Sequence, residues 1–159
     1  MITTDGDSSI TLGEAIERLR KAEDPTGEVT TGMSSGTAEA FDMHDAVHVL
    51  FGCGTSLEEE IAAHVWMKFG TTAKLGDMHK AVANQEHRKV LSGIGHFKVL
   101  GTWLRMLPRI AGIVAGARRM KKPVAFEELS RLKQQPVALI RNEHGIQGLV
   151  ACDGQFGIP

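Results

Sequence analysis

Phe41-Asp42-Met43-His44-Asp45-Ala46-Val47-His48-Val49-Leu50-Phe51, then Gly52-Cys53-Gly54-Thr55, then Ser56-Leu57-Glu58-Glu59-Glu60 is the stretch that decides the fold. Phe41, His44, His48 and Phe51 recur at the spacing of one helix face, so two histidines stand where a buried stripe normally carries apolar side chains. A buried polar group without a partner costs about 1–3 kcal/mol, so these rings need one. Gly52 ends the first helix, and Ser56-x-x-Glu59 is a capping box that opens the next. Two helices joined by so short a turn pack as an antiparallel hairpin. His48 lies four residues before Gly52 and Glu60 four after Ser56, so the two share a height; His44 and His64, eight residues out on each side, share another. Asp45 is turned about 100° from His44 along the helix and three residues before His48, placed either to join the same point or to orient a ring from behind.

Working outward, the pattern stays helical. Thr11-x-x-Glu14 is a second capping box, ahead of an apolar stripe of Leu12, Ala15, Ile16, Leu19 and Ala22. Pro25 and Gly27 end that helix, and residues 27–36 read as a loop. The histidine-bearing helix is expected over about 37–51 and its partner from Ser56 to about Phe69, closed by Gly70. A further helix is expected over 77–91, and a long apolar one over 96–120, kinked at Pro108. Short helices follow over 126–133 and after Pro136; residues 137–140 are the longest stretch with strand-like alternation. The fold class expected is all-α, a compact helical bundle with the metal motif on its hairpin. Residues 1–10 read as a loose N-terminus, 11–150 as a single helical domain and 151–159 as an irregular tail.

Composition narrows the function. The chain has 159 residues, 18 Lys and Arg against 19 Asp and Glu, and a net charge of −1, which gives no overall pull towards nucleic acid. Two cysteines, Cys53 and Cys152, are too few for a disulfide scaffold, and no basic-then-apolar leader opens the sequence, so a reducing, cytoplasmic setting is expected. The most apolar stretch, 99–117, carries Arg105, Pro108 and Arg109, which argues against a simple membrane span. There are seven histidines and no tyrosine.

His44, Asp45, His48 and Glu60, two imidazoles with carboxylates, suit a divalent cation, zinc first, with cobalt, manganese or iron also compatible. A site filled by three or four side chains keeps a position open for substrate or water. The plainer reading is that helix-face histidines are packing residues; it fits His64 and the thiol of Cys53 better than it fits a stripe with two histidines and facing acids. A phosphohydrolase built on a His-Asp doublet needs a histidine ahead of the doublet, and none precedes His44. A zincin-like hydrolase needs a glutamate base where Asp45 stands, and the shorter side chain reaches a bound water poorly.

His-Asp-x-x-His, eleven residues, then Glu resembles the signature of the Coq4 family of ubiquinone-biosynthesis proteins, which His44, Asp45, His48 and Glu60 match position by position. The likeness is specific over 41–69 and weaker afterwards. It implies an all-helical fold, a metal held by those four residues, and a long isoprenoid or fatty chain held between helices. It further implies peripheral attachment to the inner membrane, contact with other quinone-biosynthesis enzymes and self-association as a homo-oligomer. The family is also linked to exchanging a ring carboxyl at C1 for a hydroxyl, which would make the four residues catalytic. Trp66, Phe69, Val99, Leu100, Trp103, Leu104, Leu107 and Ile110 are the candidates to line a groove for the lipid tail, with an ordinary helical core as the competing reading. Basic residues at 105, 109, 118, 119, 121 and 122 beside this apolar stretch have the makeup of a helix lying on an anionic membrane surface. A non-enzymatic lipid carrier or scaffold fits the same residues.

Overall fold

Helix α1, Leu12–Glu23, starts at the first capping box as expected: the Glu14 amide donates to Thr11 Oγ1 (3.2 Å), and the Thr11 amide donates back to Glu14 Oε2 (2.9 Å). The computed structural model describes residues 10–23, 35–74 and 96–146. The expected helix over 77–91, most of the loop over 27–36, the N-terminal residues 1–9 and the tail lie outside the described residues. Helix α2 spans Ser35–Phe51, two residues earlier than expected, and α3 spans Leu57–Gly70. Helix α4, His96–Arg119, is followed by a 3-10 turn at Phe126–Glu128 and the short helices α5, Leu129–Leu132, and α6, Val137–His144.

The described residues form a compact, almost entirely helical bundle. They contain no strand, only two isolated bridges, Thr11 with Pro136 and Thr71 with Val124. The strand-like residues 137–140 are the first half of α6, because Pro136 sits at its N-cap, where a missing N–H costs nothing. Helix α4 runs on through Pro108. Pro108 and Leu104, whose carbonyl the proline leaves without its usual donor, both face solvent, where water can replace the bond.

Helix α2 is the hub, packed against α1, α3 and α6, while α3 makes its most extensive contact with α4. Leu12, Ile16 and Leu19 of α1 are buried, with Ala15 half-buried and Ala22 exposed. The Lys133 and Gln135 carbonyls pin the first turn of α1 through the amides of Gly13 and Leu12. His48 meets Glu60 and His44 meets His64 as height matching predicts, yet Phe51, beside the turn, stacks on Trp66 with ring centroids 4.4 Å apart.

Gly70 was expected only to close α3. Its more specific role is steric: a Cβ there would stand 2.9 Å from Phe51 Cζ and 3.1 Å from Trp66 Cε3. Gly70→Ala should therefore lower stability by about 1–3 kcal/mol through overpacking. Gly112→Ala, on the open face of α4 with nothing within 4 Å, should raise it by about 0.4–1 kcal/mol. Urea midpoints of the two variants check both signs; equal shifts would contradict the packing argument.

Candidate metal centre

The end of α2 fixes the first ligand. Gly52 adopts the left-handed conformation (φ 66°), and the amide of Cys53 folds back onto the His48 carbonyl (3.0 Å), the closing bond of a Schellman turn. The same reversal sets the Cys53 carbonyl beside His48 Nδ1 at 3.2 Å. With Nδ1–H donating there, the lone pair is left on Nε2. Arg141 of α6 takes the next two orphan carbonyls of α2, Val49 (2.8 Å) and Leu50 (3.0 Å). The helix end that carries His48 is thus held through its backbone.

The start of α3 fixes the carboxylate. Ser56 Oγ accepts from the Glu59 amide (3.3 Å), the first half of the expected capping box. The Glu59 side chain goes elsewhere: Oε2 accepts from the Gly54 amide (3.2 Å), and Oε1 pairs with Arg109 of α4 at 2.7 Å. That half-buried pair fastens α4 to the turn and leaves the next residue, Glu60, about 100° round the helix, facing α2.

His44, His48 and Glu60 come together as the two helices predict. His44 Nε2 stands 3.4 Å from His48 Nε2 and 3.3 Å from Glu60 Oε2, and His48 Nε2 is 3.4 Å from Glu60 Oε1. Both histidines are buried and Glu60 is partly so. One ligand atom from each of the three lies within 4.8 Å of the others, an arrangement that fits a divalent cation.

Asp45 does not point to that spot. Its Oδ2 is held by Arg20 Nε at 2.6 Å, and its Oδ1 stands 3.9 Å from His44 Nδ1, the opposite edge of the ring. His64 lies beside His44, with ring centroids 5.4 Å apart, and its Nδ1 is 2.7 Å from the Glu60 carbonyl; its ring is not one of the three. Cys53 is buried and serves through its backbone. Burial pulls the His44 pKa down, but hydrogen bonds and charge from Asp45 and Glu60 outweigh it, lifting the value from 6.5 to about 9. Burial, and then the charge of His44, pull His48 below its ordinary value.

The expected groove residues part company. Trp66 is buried in the core against Phe51, so it lines no open groove, and Ile110 is half-buried. Phe69, Trp103, Leu104 and Leu107 are exposed. The side chains of Val99 and Leu100 lie outside the described residues. Of the basic residues, Arg109 is committed to Glu59 and Lys122 to Glu143 (2.6 Å), whereas Arg105, Arg118 and Arg119 are exposed. No helix among the described residues is long and apolar enough to cross a membrane.

Sequence reasoning missed Arg20. The signal was there: Arg20 follows Ile16 by four residues and so sits on the buried face of α1, and Asp42 and Asp45, three apart on α2, bracket its guanidinium at 2.7 and 2.6 Å. Compared with known proteins, the chain matches no family model, no curated sequence and no solved structure.

Proposed function

We propose that this is a metal-dependent protein of quinone biosynthesis, of the Coq4 kind, that holds zinc through His44, His48 and Glu60 and receives a prenylated aromatic or isoprenoid lipid. The observation that carries the reading is the convergence of His44, His48 and Glu60 from two helices, with one ligand atom of each within 4.8 Å of the others. Two imidazoles with one carboxylate form a donor set that suits zinc better than magnesium, which takes oxygen donors. Three protein donors also leave a tetrahedral site one position short, where an anionic ring carboxylate could bind.

A cation bound there supplies a Lewis acid. The chain's own part is to orient and to exclude water: the Cys53 carbonyl fixes the His48 tautomer, and burial keeps both imidazoles from solvent. Exposed Trp103, Leu104 and Leu107, with Arg105, Arg118 and Arg119 on the same helix, support a peripheral seat on an anionic inner-membrane surface from the cytoplasmic side. In this setting the proposed reaction is exchange of the ring carboxyl at C1 for a hydroxyl: the carboxyl would leave as carbon dioxide, water would supply the hydroxyl oxygen, and dioxygen would take the two electrons and two protons released and leave as hydrogen peroxide. A second reading, a lipid carrier or scaffold, is favoured by one observation: the ligands come from both arms of the hairpin, so a cation would fasten the fold even without turnover.

Elemental analysis of the purified protein, with mass spectrometry of co-purified lipid, tests the proposal. About one zinc per chain and a prenylated or isoprenoid species are expected; a folded sample with neither overturns it. Glu60→Ala should weaken zinc binding beyond the roughly 100-fold that loss of an outer partner brings. If that variant folds, keeps its lipid and still supports quinone production, the catalytic role fails and the carrier reading stands.

The His44 pKa gives a signed pH prediction. Its proton, held up to about pH 9, must leave when a cation binds, whereas His48 is already neutral at about pH 7. Calorimetry in buffers of different ionisation enthalpy should find release of about one proton per zinc near pH 7. Affinity should rise about tenfold per pH unit towards pH 9 and then level off. Binding with no proton release would contradict coordination by His44.

A further inference from the structure

His44 presents two edges. Nε2 faces Glu60 and His48, and Nδ1 faces Asp45. Asp45 is therefore placed behind the ring, and it is buried. Arg20 of α1 holds it there: Nε meets Asp45 Oδ2 at 2.6 Å while the other arm of the fork meets Asp42 Oδ1 at 2.7 Å, and Lys133 Nζ secures the far oxygen of Asp42 at 2.5 Å. A planar guanidinium can bracket two carboxylates on successive turns of one helix; a lysine ammonium supplies the charge without the fork.

We infer that Asp45 and Arg20 are positioning residues of the metal centre, Asp45 orienting His44 from behind and Arg20 fixing Asp45, so that docking of α1 tunes the grip on the cation without supplying a ligand. The inference rests on the proposed metal reading and adds an outer layer to it. A carboxylate behind a ligand imidazole sets the ring's orientation and raises its basicity as a donor, and loss of such a partner costs about 10- to 100-fold in metal affinity. Asp42 is the internal control, since it shares Arg20 without touching His44.

Cobalt(II) titration of the full chain, read by its visible spectrum with zinc competition for affinity, separates the roles. Asp45→Asn and Arg20→Gln should each weaken cobalt binding about 10- to 100-fold while leaving the band pattern at saturation as in the wild type. The double variant should bind about as well as Asp45→Asn alone, because the two act in series. Arg20→Lys should restore part of the loss, and Asp42→Asn should stay close to wild type, which a merely structural role of the ion network would not allow. Circular dichroism identifies any variant that fails to fold, and the near-isosteric Asp45→Asn and Arg20→Lys carry the test if Arg20→Gln does. A changed band pattern in Asp45→Asn makes Asp45 a ligand and overturns the inference, as do additive losses in the double variant or wild-type affinity in Arg20→Gln. In each of those outcomes the metal reading survives. A wild-type chain that takes up neither cobalt nor zinc overturns the metal reading, and this inference with it.

Discussion

Two imidazoles and a carboxylate are buried, and a second carboxylate is half-buried, where α1, α2 and α3 meet, and the rest of the structure is organised around the cost of keeping them there. Unpartnered, each would lower stability by about 1–3 kcal/mol, and more where it carries charge. The compensation is local and directional. His48 is matched by a backbone carbonyl, Asp45 by a guanidinium, and His44 stands between two carboxylates. The apolar core lies to one side of this cluster: Val47, Leu50 and Phe51 from α2, with Ile61, Trp66 and Met67 from α3.

The same accounting explains the shape of the hairpin. A helix leaves its last carbonyls without partners, and here they are taken in turn by the Cys53 amide and by Arg141. The two devices bring α6 onto the end of α2 and immobilise the turn that carries His48. At the start of α3, adjacent glutamates diverge. Glu59 leaves towards Arg109 and ties down α4, while Glu60 turns inward. The helix fastened by Arg109 is also the one that exposes Trp103, Leu104 and Leu107, so the apolar surface and the polar centre share one rigid attachment.

Much of this was legible in the sequence, for identifiable reasons. The all-α class followed from capping boxes at Thr11 and Ser56 and from the stop at Gly52, all of which act through bonds within a few residues. The triplet of His44, His48 and Glu60 followed from helical spacing plus the height rule across a short turn. The rule held for His48 with Glu60 and for His44 with His64 but failed for Phe51, which stacks on Trp66 ten residues past Ser56, because height matching takes no account of the bulk of two aromatic rings packed around Gly70. Asp45 was undecided because spacing gives the angle around a helix but not which competing cation will claim the carboxylate. Arg20, 25 residues away, settles that, and contacts over such a separation leave no periodic trace. Trp66 and Trp103 look alike in sequence; only the partner surface of α3 and α4 tells core from exposed face.

Charge ties the outer layer to the chemistry. With His44 protonated, three cations (His44, Arg20 and Lys133) stand against three carboxylates (Glu60, Asp45 and Asp42), and the cluster is neutral. Exchanging that one proton for a divalent cation leaves one positive charge in a largely buried place, where it is screened far less than at the surface. A neutral lipid tail gains nothing from that charge, but an anionic head group does. The outer pairs therefore do more than hold His44 still. If Lys133 and Arg20 were absent, Asp42 and Asp45 would turn the loaded centre net negative and set it against a carboxylate. The basic partners of α1 and of the turn before α6 would keep a loaded centre net positive, as the proposed carboxylate ligand requires, and they do so from positions that the His-Asp-x-x-His motif does not contain.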